Sequence, residues 1–177
     1  MKQALSLLLC LGMFGGHSNA ADPGGWLDAK WGIGQSQILS LPFLWPYRHE
    51  QTSSRMWQYY DVEIEGRRFN VTFVFGPHDD PNRGLQSVVL FPADKSGDPA
   101  IGVLRDYLAI HKAHRSYGAP RVRCQSNSNG SQSCTESWEL PTTTIVVSVT
   151  KTLGRRGERE AISDVFLMYA HRRSSQT

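Results

Sequence analysis

The sequence predicts an α+β two-layer sandwich: a mainly antiparallel sheet of about six to seven strands with one long and one short helix on one face. Three observations carry this expectation. Period-two segments outnumber helical ones, the links between them are mostly of hairpin length, and a single long helical stretch is bounded by Asp98-Pro99 and Gly118. Antiparallel neighbours joined by short turns leave the helices no place except one face of the sheet.

In chain order, Trp26, Trp31, Ile33, Ile38, Leu39, Leu41, Phe43, Leu44 and Trp45 crowd the first apolar stretch. Gly34, Pro42 and Pro46 limit any helix there to about two turns over 35–41. From Trp57 the period becomes two. Tyr60, Val62 and Ile64 alternate with Asp61, Glu63 and Glu65, which predicts a strand with one wet face. Glu65-Gly66-Arg67 supplies a turn, and Phe69, Val71, Phe73 and Phe75 mark the returning strand. After a polar loop over 76–84, Val88, Val89, Leu90 and Phe91 are apolar at consecutive positions, the pattern of a central strand. Asp98 then sits at an N-cap position with Pro99 following, and Ile101, Leu104, Tyr107, Leu108 and His111 share one helix face. Gly118 stands where the helix needs a left-handed residue to stop. Segments 121–124, 134–140, 143–150 and 162–170 predict four more strands. The sequence shows no internal repeat and no linker dividing the chain.

The first 20 residues read as a secretory signal peptide: Lys2, an apolar run to Phe14, and small residues at Ser18 and Ala20. The run is too short to cross a bilayer of ~30 Å, and no later segment is long and apolar enough, so stable membrane insertion is not expected. Residues 21–173 then form one secreted or periplasmic domain, and the tail 174–177 is expected to be disordered. Removal of Lys2 leaves 18 basic against 16 acidic residues, a net charge of +2. That excess is too small and too scattered for a nucleic-acid binder.

Two cysteines, Cys124 and Cys134, remain in a chain bound for an oxidising compartment, and are expected to form a disulfide. The segment between them is wholly polar, so the bridge would staple the base of a hairpin loop. Asn127, Asn129 and Gly130 make its tip a candidate binding loop, because a constrained tip costs less entropy to bind. His111 and His114 are spaced to reach one ligand or metal from the long helix, but no nearby carboxylate completes a shell. The loop 78–84 gathers oxygen ligands without the spacing of a calcium loop. No nucleophile elbow, zinc-protease, phosphate-loop or dinucleotide motif occurs. Neither a cofactor, a metal nor an enzymatic activity is therefore expected.

Trp31-Gly32 ahead of a short helix, a meander of three strands, a long helix closing in Tyr117-Gly118-Ala119-Pro120, and later strands with Trp138 and Ile145 resemble small secreted bacterial proteins of unknown function. The layout is also similar to the helix-plus-meander modules of the β-lactamase inhibitory proteins and of the small outer-membrane assembly lipoprotein. The resemblance covers most of the mature chain in order of elements. It implies a role in binding another protein, as an envelope accessory factor or an inhibitor of a secreted enzyme. One departure is that Cys10 follows Leu9, not the small residue of a lipid-attachment site. The alternative is a small-ligand carrier or enzyme whose pocket lies between sheet and helix and uses His111 or His114.

Overall fold

The computed structural model describes residues 22–77, 84–94, 97–115, 117–126, 130–152 and 161–172, with the side chains of 97–99, 111–115, 161 and 163 outside the description. The expected signal segment 1–20, loop positions 78–83, the arginines at 155, 156 and 159, and the tail 174–177 lie outside it too.

The fold is mainly antiparallel sheet with few helices. A small hairpin of β1 (Gly25–Trp26) and β2 (Ala29–Lys30) leads into α1 (Gln35–Leu39) and a 3-10 turn at Pro42–Leu44. The meander β3 (His49–Ser53), β4 (Met56–Ile64), β5 (Arg67–Phe75) and β6 (Leu85–Pro92) follows. Helix α2 (Gly97–Arg115) then precedes a second meander, β7 (Arg121–Ser126), β8 (Ser131–Glu139), β9 (Thr143–Thr152) and β10 (Ala161–His171). The eight strands β3 to β10 make one sheet in the order β3-β4-β5-β6-β10-β9-β8-β7, every pairing antiparallel. Each half is thus a helix followed by a four-strand meander, and the halves join where β6 meets β10, with Leu90 opposite Leu167 and Val88 opposite Tyr169. The sequence conceals this repetition of element order, since its two halves share no run of residues.

The sheet exceeds the expected six to seven strands, and the two-stranded hairpin is an addition. Strand β3, His-Glu-Gln-Thr-Ser, has no apolar residue and is exposed throughout, so it carries no hydrophobic period to read. Helix α1 covers only 35–39, because Pro42 diverts the chain into the 3-10 turn; α2 is the one helix of seven or more residues among the described residues. In β4 the expected alternation breaks at a register shift between Tyr59 and Val62, with Asp61 at φ 53°. This bulge puts Tyr59, not Tyr60, beside Val62 and Ile64 in the core. The turn at Glu65-Gly66 forms as expected, both residues having positive φ.

One face of the sheet carries the core. Phe69, Val71, Phe73 and Phe75 of β5, Val88 and Leu90 of β6, and Val165, Leu167 and Tyr169 of β10 are buried there. Trp26 plugs the hairpin into it, its ring edge-on to Phe43 and Phe73 at 5.9 and 5.8 Å, and its Nε1–H donates to the Tyr107 hydroxyl at 3.1 Å. Helix α2 presses Leu104, Tyr107 and Leu108 onto the same face, with Tyr107 edge-on to Phe69 at 5.2 Å. Burial pushes the Tyr107 phenol well above its ordinary pKa. Because α2 lies over the centre, against β10 and β6, the outer strand β7 is exposed along its whole length.

Candidate functional site

Uneven cover by α2 creates a cleft between the helix and the outer half of the sheet. Its floor is built from three cross-strand rungs. Cys124, Cys134, Val149 and Val165 align across β7, β8, β9 and β10 in the middle rung. Val122, Glu136 and Val147 form the rung on one side, and Gln132, Lys151 and Ile162 the rung on the other. From Val147 to Lys151 the floor runs about 13 Å at ~3.3 Å per residue. Ile101, Leu104, Arg105, Leu108 and Ala109, one helical stripe of α2, make the facing wall. The volume enclosed is about 580 Å³, within the ~300 to 1,000 Å³ of ligand pockets.

Cys124 and Cys134 are bonded, and sit directly opposite one another with Cα atoms 4.1 Å apart. The expected loop is much shorter than its polar composition suggested. Gln125 pairs with Ser133 and Ser126 with Gln132, so two further rungs lie beyond the bridge. Polar Ser and Gln extend the hairpin because both faces of this edge are wet and no apolar alternation is demanded. The bridge is consequently part of the cleft floor and not the base of the loop. Gly130 closes the turn at φ +80°, while Asn127 and Asn129 lie outside the described residues. His111 and His114 belong to the last turns of α2, their side chains outside the description. Among the described residues, no three His, Cys, Asp or Glu side chains come together as metal ligands.

The cleft's lining is mainly aliphatic. Its lining among the described residues contains no aromatic ring, and its ionic groups are Arg105, Lys151 and Glu136. Arg105 is exposed and has no ion-pair partner among the described residues.

The opposite face of the sheet is a second feature that the strand patterning alone did not locate. Thr72, Val89, Met168 and Val146 form a row across β5, β6, β10 and β9, about 14 Å wide at ~4.8 Å per strand. Val74, Phe91 and Phe166 adjoin it, the two phenyl rings 5.9 Å apart. These apolar side chains are partly exposed, whereas Trp26, Ile38, Leu44, Leu104 and Tyr107 from the hairpin, helices and 3-10 turn all pack on the core face. The row of Met168 and Val146 continues through Ser137 to Arg121 on β7, which Glu139 holds at 3.1 Å, and that of Phe166 continues through Ser148 and Thr135 to Arg123. The signal was present at Val88, Val89, Leu90 and Phe91: apolar residues on both faces of one strand.

Of the described aromatic residues before position 60, Trp26 and Tyr59 are buried, Trp31, Phe43, Tyr47 and Trp57 are half-buried, and Trp45 is 70% exposed. Arg172, next to the last strand, is held by Glu139 at 3.5 Å and donates to the Leu140 carbonyl. Among the described residues no helix is long and apolar enough to cross a membrane. Comparison with protein-family models, with curated proteins and with solved structures returned no match.

Proposed function

We propose that the protein is a secreted or periplasmic binding protein without enzymatic activity, which engages another protein through the open face of its sheet. The observation carrying this reading is the row Val89, Met168 and Val146 with Phe91 and Phe166: central strands patterned for burial on both faces but covered by the described elements on one. A partner would bury this apolar centre, while Arg123 at its rim favours an acidic border. The disulfide supports an oxidising compartment. The helix-plus-meander order, present twice, accords with the resemblance to inhibitory and envelope-assembly modules.

The test is affinity capture of the tagged, exported protein from its native envelope and medium with mild cross-linking. A single enriched protein is expected, and Met168→Lys should abolish its retention while changing stability by no more than about 0.5 kcal/mol, as at a surface site. Retention of the same protein by both Met168→Lys and Phe166→Ser, or no enrichment with the unaltered chain, would overturn the reading.

The cleft favours a second reading, a carrier of a small ligand. Its volume and its mainly apolar lining are those of a binding pocket.

A further inference from the structure

Resting on this carrier reading, we propose that the cleft between α2 and the disulfide hairpin binds a single long alkyl chain bearing an anionic head group. The floor extends about 13 Å along the strands in three rungs, with a disulfide, Val149 and Val165 in the middle one, under a wall of Ile101, Leu104 and Leu108. Such a surface rewards burial of methylene groups, roughly 0.8 kcal/mol for each. It offers no ring to stack a nucleobase or a sugar among the described lining residues, and few groups to satisfy the hydroxyls of either.

Charge selects the head group. Arg105, Lys151 and Glu136 line the cleft, and because Lys151 already has an interaction of its own, the head group is selected at Arg105. Glu136 stands opposite Val122 and Val147, in the rung farthest from Lys151. Arg105 projects from the helix wall without an ion-pair partner among the described residues. A carboxylate, sulfate or phosphate head meets a guanidinium there at the mouth of the trough, while its chain lies on the sulfur and valine floor. The disulfide acquires a role in this arrangement, because it fixes β7 against β8 and so holds the outer part of the floor in place.

Dodecanoate and dodecyltrimethylammonium, each titrated calorimetrically below micelle-forming concentrations into the exported protein, test the proposal. One dodecanoate per chain is expected, with the cationic amphiphile at least about tenfold weaker, a difference of ~1.4 kcal/mol. Val149→Trp fills the floor and should abolish binding; Ile101→Trp, on the helix wall, serves if the first variant fails to fold as judged by its thermal transition. Arg105→Glu should weaken dodecanoate at least about tenfold and reverse the preference between the two heads. Met168→Lys, on the other face, should leave dodecanoate binding unchanged.

If neither amphiphile binds, the carrier reading falls together with the proposal. If both bind equally, or the cationic one binds better, the cleft takes a chain but the anionic head is wrong. Dodecanoate binding that survives both Trp variants places the site elsewhere and overturns the assignment. A dimer that dissociates with Val149→Trp in sedimentation means that a second copy occupies the trough instead. None of these outcomes bears on the open sheet face, whose test is the capture experiment.

Discussion

Asp22 shows how one residue ties the start of the described chain to the far end of the sheet. Its carboxylate accepts hydrogen bonds from the Gly24 backbone N–H at 2.9 Å, from the Thr143 hydroxyl at 2.7 Å and from the Thr142 backbone N–H. Trp31 adds a fourth member, its Nε1–H donating to the Thr143 hydroxyl oxygen at 2.9 Å. Burial is the largest single influence on the Asp22 pKa and raises it, but the hydrogen bonds from Thr142, Gly24 and Thr143 together outweigh burial and hold it below its ordinary 3.8. A folded pKa below the unfolded one means that the stabilisation is fully present above the unfolded pKa and is lost as pH falls through the folded value. Asp22→Asn should therefore cost about 1 to 3 kcal/mol at neutral pH. Its urea midpoint should also fall less steeply than that of the unaltered protein on acidification below about pH 4. Equal pH dependence in the two proteins would remove the carboxylate from this role.

Gly84 is a second residue whose identity is imposed by packing. A Cβ there would stand 1.9 Å from the Gly32 carbonyl oxygen, where Gly32 N–H donates to the Leu85 carbonyl at 3.1 Å and Leu85 N–H to that of Ile33 at 2.8 Å. The obstacle is backbone, which has no rotamer to yield. Gly84→Ala should destabilise by about 1 to 3 kcal/mol, read from the urea midpoint. The sequence marks this glycine merely as the end of a polar loop, since the segment it meets lies some fifty positions away.

At the scale of elements, the β1-β2 hairpin is two residues per strand and carries no recognisable strand signal, yet it is pinned by Trp26. Trp26→Ala should cost about 3 to 5 kcal/mol by opening a cavity among Phe43, Phe73 and Tyr107. Chemical denaturation measures this directly. The β7-β8 hairpin is the opposite case: well formed as strands, exposed along β7, and held by its bridge. Reduction, or Cys134→Ala, should lower stability by about 2 to 3 kcal/mol in the chain-entropy model. Amide exchange should accelerate first in β7 and β8, with β5 and β6 staying protected. Uniform acceleration across the sheet would show that the bridge supports the whole fold and not this edge. The bulge in β4 belongs to the same scale, for a two-residue period cannot foretell where it slips, and the slip decides that Tyr59 is buried and Tyr60 faces Arg48, 5.5 Å from its ring.

For the whole molecule, the decisive fact is that two helix-plus-meander halves meet back to back through β6 and β10. One continuous face results, part of it roofed by α2, the hairpin and the 3-10 turn. The cleft is the gap left where the roof ends. The apolar row on the other face exists because β6 and β10, which are apolar on both sides, became neighbours at the centre. Both candidate surfaces are therefore products of strand order. Met168→Lys and Val149→Trp separate them, since the first changes the open face and the second the cleft.

By itself the sequence determined what depends on near neighbours. The period-two segments, the Glu65-Gly66 turn, the extent of the long helix and the cysteine pair all rest on spacing and residue type within a few positions. Tertiary structure alone decided the pairing of β6 with β10, the polar edge strand β3, the place of the disulfide in a ligand-sized floor, and which apolar residues face outward. Local chemistry sets whether a segment extends or coils, because backbone sterics and side-chain alternation act over short range. Which strand lies beside which follows from burying the common core at once, and that free-energy balance involves residues far apart in the chain.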